Sequence, residues 1–274
     1  MIELLQFEFM RNALIAACLI SIACGIVGSY VVIRKLTFIA GGIAHAAFGG
    51  IGIGYFLGLN PLLSAVPFSI FVAMVIGALK KKVKVSEDTA IGIIWALGMA
   101  IGILFIYITP GYAPDLFSYL FGNILTISSF DLIVMAFLNI AIVLFVILLF
   151  EELKSISFDE EFSEVVGVRT DILGISFLCM IAMSVVLLVK VVGIILVIAL
   201  LTIPASIAKM YTHNLKKMMM LSFFLSLALI FAGLFASYQL NLPSGATIIL
   251  ISSTVFVLAY LHKISAKKEA FLCH

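Results

Sequence analysis

Apolar residues run along this chain in long blocks, with none of the strict alternation of a water-facing strand. Nine blocks are long enough to cross a bilayer: residues 10–33, 37–58, 61–79, 89–109, 130–150, 171–189, 191–209, 217–238 and 245–262. A membrane-spanning helix needs about 20 apolar residues, within a range of roughly 17–25. Turn formers and charges punctuate the blocks at Arg34-Lys35, Asn60-Pro61, Lys80 to Lys84, Thr109-Pro110-Gly111, Glu151 to Arg169, Thr212 to Lys217 and Asn241 to Gly245. Only Lys190 to Gly193 part the sixth block from the seventh. The pattern predicts an all-α polytopic membrane protein of about nine transmembrane helices. A single membrane domain then covers 1–274, and no soluble domain fits between the spans.

Composition supports the same class. The chain is 64% hydrophobic and 11% charged, with a mean hydropathy of +1.31, whereas soluble domains carry about 25% charged residues. A net charge of +2 gives no ground for a nucleic-acid partner; membrane lipid is the expected surrounding. Cys18, Cys24, Cys179 and Cys273 have no CxxC spacing, and the first three lie in apolar runs. They predict buried or lipid-facing thiols rather than a disulfide framework or a zinc site. The N-terminal MIELLQFEFMRN has two acids before its first base, unlike a secretory signal peptide, so the first block is expected to be retained as a span.

The basic residues set the orientation. With nine spans and the N-terminus outside, only Arg11 and Lys190 of the 16 Lys and Arg fall on the outer side. Basic residues concentrate on the cytoplasmic side of membrane proteins, which predicts an external N-terminus and a cytoplasmic C-terminus. Merging the sixth and seventh blocks would put the last basic cluster outside.

No acid occurs between Glu8 and Glu87, or from Ile172 to Lys268. The remaining acids mark span ends or loops: Glu87 and Asp88, Asp115 in an outer loop, and Asp131. Ion-driven carriers need an ionisable group inside the membrane, and intramembrane hydrolases need a nucleophile with a base, or several metal ligands. The chain is therefore expected to be neither an enzyme nor a self-powered carrier. A passive channel fits, as does a pathway driven by another protein.

The second block contains FIAGGIAHAAFGGIGIGYFLG. Gly42, Ala46, Gly50, Gly54 and Gly58 recur every four residues, a small-residue stripe that lets another helix approach closely in lipid. His45 has Gly41 and Gly49 one turn away on either side, which predicts an uncrowded imidazole. It either bonds a backbone carbonyl or faces an interior cavity.

The inward loop EELKSISFDEEFSEVVGVRT contains a short amphipathic pattern. Phe158, Phe162, Val165 and Val166 recur at three- and four-residue steps, acids fill the first turn, and Gly167 is placed to end the helix. Its polar side bears Asp159, Glu160, Glu161 and Glu164, which anionic lipid would repel. A protein partner is expected to cover the apolar side over 157–168, with Phe158 and Phe162 as anchors and the acids, Glu160 among them, on the rim.

Taken in order, GSYVVIRKLTFIAGGIAHAAFGGIGIG, EDTAIGII, LFGNIL, SFDEEFSEVVGV, VGIILVIALLTIPASIAKM and LPSGATIIL resemble the membrane-spanning subunit of ATP-binding-cassette importers for zinc, manganese and related metals. The resemblance spans roughly residues 10–262. It implies a multi-pass permease of the cell membrane, paired with a second copy as a homodimer or with another permease. It also implies two cytosolic ATPase subunits that bind ATP, and an extracytoplasmic metal-binding protein. In the cytoplasmic segment, Glu161, Glu164 and Gly167 resemble the family's coupling helix. No cofactor would be bound stably; a divalent metal would be the cargo, and His45 would touch it in passing. Many members have an Asp four residues before this histidine, where this chain has Gly41, and the identity of the metal stays open. A permease for a metal chelate, siderophore or cobalamin, a nonspecific channel and a non-transporting scaffold are the competing readings.

Overall fold

The computed structural model describes residues 7–82, 86–110 and 116–272. Lys84, Asp115 and Cys273, placed in loops or at the end by the sequence pattern, lie outside them. Thirteen α-helices follow one another among the described residues. The first span is α1 (Glu8–Ala23), one π-helical turn (Cys24–Gly28) and α2 (Ser29–Ile33). Then come α3 (Thr37–Phe56), α4 (Pro61–Lys82), α5 (Glu87–Ile108), the short α6 (Leu116–Phe121), a 3-10 turn (Ile124–Thr126) and α7 (Ser129–Leu148). After them run α8 (Phe150–Phe158), α9 (Glu160–Val165), α10 (Thr170–Val192), α11 (Val197–Tyr211), α12 (Leu215–Leu240) and α13 (Ser244–Leu272).

Eight segments among the described residues are long and apolar enough to cross a membrane. They match the predicted spans closely, apart from the seventh. Val191 and Val192, assigned above to that span, are the last residues of α10. Gly193 breaks the helix there with φ 79°, and the next helix begins only at Val197. With 15 residues, α11 is about 22 Å long at 1.5 Å per residue, short of the roughly 30 Å hydrocarbon core. It nevertheless runs from one end of the bundle to the other. The preceding turn is held to α6, where Ile194 N–H donates to Tyr119 O (2.9 Å) and Ile195 N–H to Leu120 O (3.3 Å). At the far end, Lys209 Nζ donates to Val32 O (3.3 Å) and Lys263 Nζ bonds Met210 O.

Helix ends fall where short polar side chains can cap them. Ser128 and Asp131 form a reciprocal capping box at α7, Asp159 accepts from Phe162 N–H at α9, and Asn214 accepts from Lys217 N–H at α12. Each satisfies backbone donors that the first helical turn leaves unpaired.

The centre of the bundle is α3, buried along most of its length and packed between α4, α5 and α10. Its small residues permit this, though the predicted stripe divides its work. A Cβ on Gly42 would stand 2.3 Å from Ile91 of α5, and one on Gly50 would stand 2.9 Å from Ala65 Cα of α4. One on Gly54 would meet Ser64 and Pro61 of α4. Steps of four residues drift about 40° around a helix, so the stripe winds from one neighbour to the next. Ala46 belongs to the α5 side, where its Cα lies 2.5 Å from the place of a Gly98 Cβ. Gly58 packs against nothing, a correction to its expected role. It stands beyond the end of α3 with φ 65°, and Leu59 N–H reaches back to Gly54 O (2.9 Å). Gly58 therefore terminates the helix in the left-handed conformation that glycine adopts most readily.

Candidate functional site

His45 sits midway along α3 and is 8% exposed. Its ring lies 3.9 Å from that of Trp95 on α5, tilted by 38°. Its Nδ1 is buried with no hydrogen-bond partner. The expected open space above and below it is absent. A Cβ on Gly41 would lie 2.5 Å from Ile198 Cδ1 of α11, and one on Gly49 would lie 2.6 Å from the Phe68 ring of α4. The two glycines thus admit neighbouring side chains rather than leaving a channel. What remains at His45 is a desolvated imidazole nitrogen with free lone-pair or proton capacity, its ring against that of Trp95. A buried polar group without a partner is costly, and neutral imidazole is a good ligand for divalent metals. Among the described residues, no three His, Cys, Asp or Glu side chains gather to hold an ion. His45 could supply one ligand only, a contact suited to passage rather than storage.

Further along, the face between α3 and α5 brings backbone against backbone. A Cβ on Gly52 would stand 2.4 Å from Gly102 O, and one on Gly102 would stand 2.5 Å from Phe48 O. Gly52 and Gly102 extend this contact beyond the four-residue stripe, whose Ala46 is itself the residue that Gly98 faces. The signal was present in the sequence, since Gly98 and Gly102 are themselves four residues apart on α5. Trp95, the chain's single tryptophan, was not singled out.

Beyond α3, three of the quoted motifs converge. Gly122 (φ 74°) and Gly193 (φ 79°) are packed backbone on backbone, and a Cβ on Gly245 would lie 2.3 Å from Phe121 O. Lys190 beside them is shared by Asp131 (3.8 Å) and the Tyr119 ring (5.0 Å). Tyr119 in turn meets Tyr55 edge-on at 5.8 Å. This cluster ties the end of α3 to the α10–α11 break.

The opposite end of the bundle carries α8 and α9. Here the single helical pattern expected within 157–168 is divided between two helices, because Asp159 leaves helical geometry to cap α9. Phe158 closes α8, while Phe162 and Val165 lie on α9 and Val166 caps it. All four are exposed, so the apolar face stands uncovered. Glu161 and Glu164 are exposed on the same helix. Gly167 ends it as expected, with φ 94° and Val168 N–H donating to Ser163 O (3.0 Å). Ser163 is buried, its Oγ 2.7 Å from Ser155 Oγ of α8. Glu160 is an exposed acid like its neighbours, its side chain 55% accessible, but it has a partner in the bundle. It pairs with Arg34 at 3.0 Å, whose side chain is only 9% exposed. Sequence reading missed this pair because 126 residues separate its members.

Relatives place this architecture in a known lineage. The chain is 45% identical over 259 residues to a membrane protein of Synechocystis, covering 94% of this chain and 92% of the relative. It is 33% identical to the manganese transport system membrane protein MntC of Listeria monocytogenes, with 94% and 92% covered. The structure of PsaBC from Streptococcus pneumoniae in complex with Fab superposes with a TM-score of 0.86 at 32% identity, covering 94% of both chains. The ABC 3 transport family model matches residues 6–263, nearly the whole bundle. The chain therefore belongs to the ABC 3 transport family, as a multi-pass membrane permease.

Proposed function

We propose that this chain is the permease subunit of an ATP-driven importer of a divalent transition metal, with manganese the first candidate and zinc or iron(II) the others. The observation that carries this reading is His45, whose unpartnered Nδ1 lies in the core helix α3. The names of relatives as manganese transport proteins support the cargo class. In this reading His45 is a transient ligand. Trp95 and Ile198 close around it between passages, and one ligand is too few to trap the ion. A conduit must release what it binds.

ATP hydrolysis belongs to cytosolic ATPase subunits, which dock on the exposed Phe158, Phe162, Val165 and Val166. Glu161 and Glu164 flank that face, and Gly167 closes it. An extracytoplasmic binding protein delivers the metal, and a second copy of the permease completes the assembly. The N-terminus lies outside and the C-terminus inside. Lys154, Lys209, Lys216 and Lys263 gather with α8 and α9 at one end: Lys216 lies over the Phe150 ring at 4.8 Å, and Lys154 pairs with Glu151 at 3.3 Å.

The test uses cells that lack their own manganese uptake. His45→Ala is expected to abolish or retune uptake of manganese, zinc and iron while leaving the amount of assembled complex unchanged. Because Trp95 is the single tryptophan and touches His45, manganese should also quench the fluorescence of the purified wild-type permease, and not that of the variant. Wild-type uptake with unchanged selectivity in His45→Ala would send the search for the pathway elsewhere.

A further inference from the structure

The turn from α2 to α3 is short and strained. Arg34 caps α2, with its N–H donating to Tyr30 O (2.9 Å), and Leu36 N–H donates to Val31 O (2.9 Å). Between them Lys35 holds φ 59°, a conformation disfavoured for any residue with a Cβ. Such a turn persists only where surrounding contacts fix it. Two of those contacts come from the Arg34 guanidinium. It pairs with Glu160, the first residue of α9, and lies over the ring of Phe177 on α10, 5.3 Å from its centroid. Phe177 is itself fully buried and packs edge-on against Tyr30 at 5.5 Å. Arginine suits this double role, because its flat face stacks on an aromatic ring while its N–H groups engage a carboxylate. Arg34, Leu36, Ile39, Gly77 and Glu160 line one cleft, where α3, α4, α9 and α10 meet.

We propose that the Arg34–Glu160 pair is the link through which displacement of α9 reaches α3. This rests on the reading that α8 and α9 dock an ATPase. The docking side chains Phe162 and Val165 share the six-residue α9 with Glu160, so a partner that shifts this helix pulls directly on the carboxylate. The pull passes to Arg34, next to the strained Lys35, and then to the first residues of α3. His45 lies about 12 Å further along that helix at 1.5 Å per residue. Arg34 and Glu160 are positioning residues: they hold the docking helix and the pathway helix in register and contact no metal.

The test is a double-mutant cycle on the permease assembled with its ATPases in lipid vesicles. Metal moved per ATP hydrolysed is measured per assembled complex for Arg34→Gln, Glu160→Gln and the double variant. Each single change should lower that ratio by about 2- to 30-fold, the range expected for residues along a coupling network. The double variant should be no worse than the more severe single one, because both remove the same interaction. Arg34→Lys, which keeps the charge but not the planar fork, should recover only part of the ratio. A wild-type ratio in both single variants, or losses that multiply in the double, would overturn the link. Phe162→Ala serves as the separate arm. If that variant assembles and couples as the wild type does, the docking reading itself fails, whatever the pair does.

Discussion

Placing a carboxylate at position 41 tests how the core around His45 is built. On a bare helix, Gly41→Asp would simply place a second ligand one turn from the imidazole, on the same face. The structure predicts a different outcome. The new Cβ would stand 2.5 Å from Ile198 Cδ1 and 3.2 Å from its Cγ1, so Ile198 must swing away before any carboxylate fits. Overpacking costs about 1–3 kcal/mol, the low end applying because the far methyl of a flexible side chain is what must move, and desolvating the carboxylate adds several kcal/mol more. Gly41→Asp alone is therefore expected to lower the melting temperature of the metal-free permease. A change of 1 kcal/mol moves Tm by about 2–4 °C in a chain of this size class.

Adding Ile198→Ala vacates the space that the new carboxylate needs. The paired variant should remain less stable than wild type without metal, because its carboxylate is still buried. It should respond strongly to manganese. At about 100 times Kd, binding to the native state alone adds roughly 2.7 kcal/mol, which corresponds to about 5–10 °C. The assay is thermal unfolding of the purified permease with and without manganese, with Ile198→Ala as the control for the cavity. If Gly41→Asp alone were as stable as wild type, the buried setting of position 41 would be wrong. If the paired variant gained no stability from manganese beyond the control, position 41 would not face the same site as His45.

Two further outcomes check the frame around this site. Gly52→Ala should destabilise the permease by about 1–3 kcal/mol, since its Cβ would press within 2.4 Å of Gly102 O. Gly92→Ala, with nothing within 4 Å of its Cβ, should be neutral or gain up to about 1 kcal/mol from helix propensity; equal Tm shifts would refute the close approach of α3 and α5. For the orientation, a reporter fused after His262 should be active in the cytoplasm, and one inserted near Asn60 should be active outside. Finding both on one side would overturn the crossing number.

Much of the architecture was legible along the chain. Eight spans are set by apolar length, because a helix that meets lipid must be apolar over the full thickness it crosses. Their ends follow from local chemistry: the Ser128–Asp131 box, the Asp159 cap and the Gly167 stop each act within a few residues. His45 stood out for a similar reason, as a lone polar side chain in a stretch of small apolar residues.

Only tertiary structure decided what those residues meet. Apolar length cannot show where one helix stops and the next begins inside a continuous hydrophobic run. The sequence put the α10–α11 break within Lys190 to Gly193; Gly193 pressed against Leu120 and Gly122 decided that Val191 and Val192 still belong to α10. Glycine spacing announced close packing without naming a partner, and small residues tolerate many. The drift of a four-residue step therefore gave the stripe to both α4 and α5 and left Gly58 as a terminator. The space around His45 was decided by Ile198, Phe68 and Trp95, which arrive from three other helices. Glu160 read as one acid among several because its charge is local, whereas its partner Arg34 is brought to it by the fold. Periodicity and capping act over a turn or two and are written in the sequence. Close approach and ion pairing act between segments far apart in the chain, and they exist only once the bundle has formed.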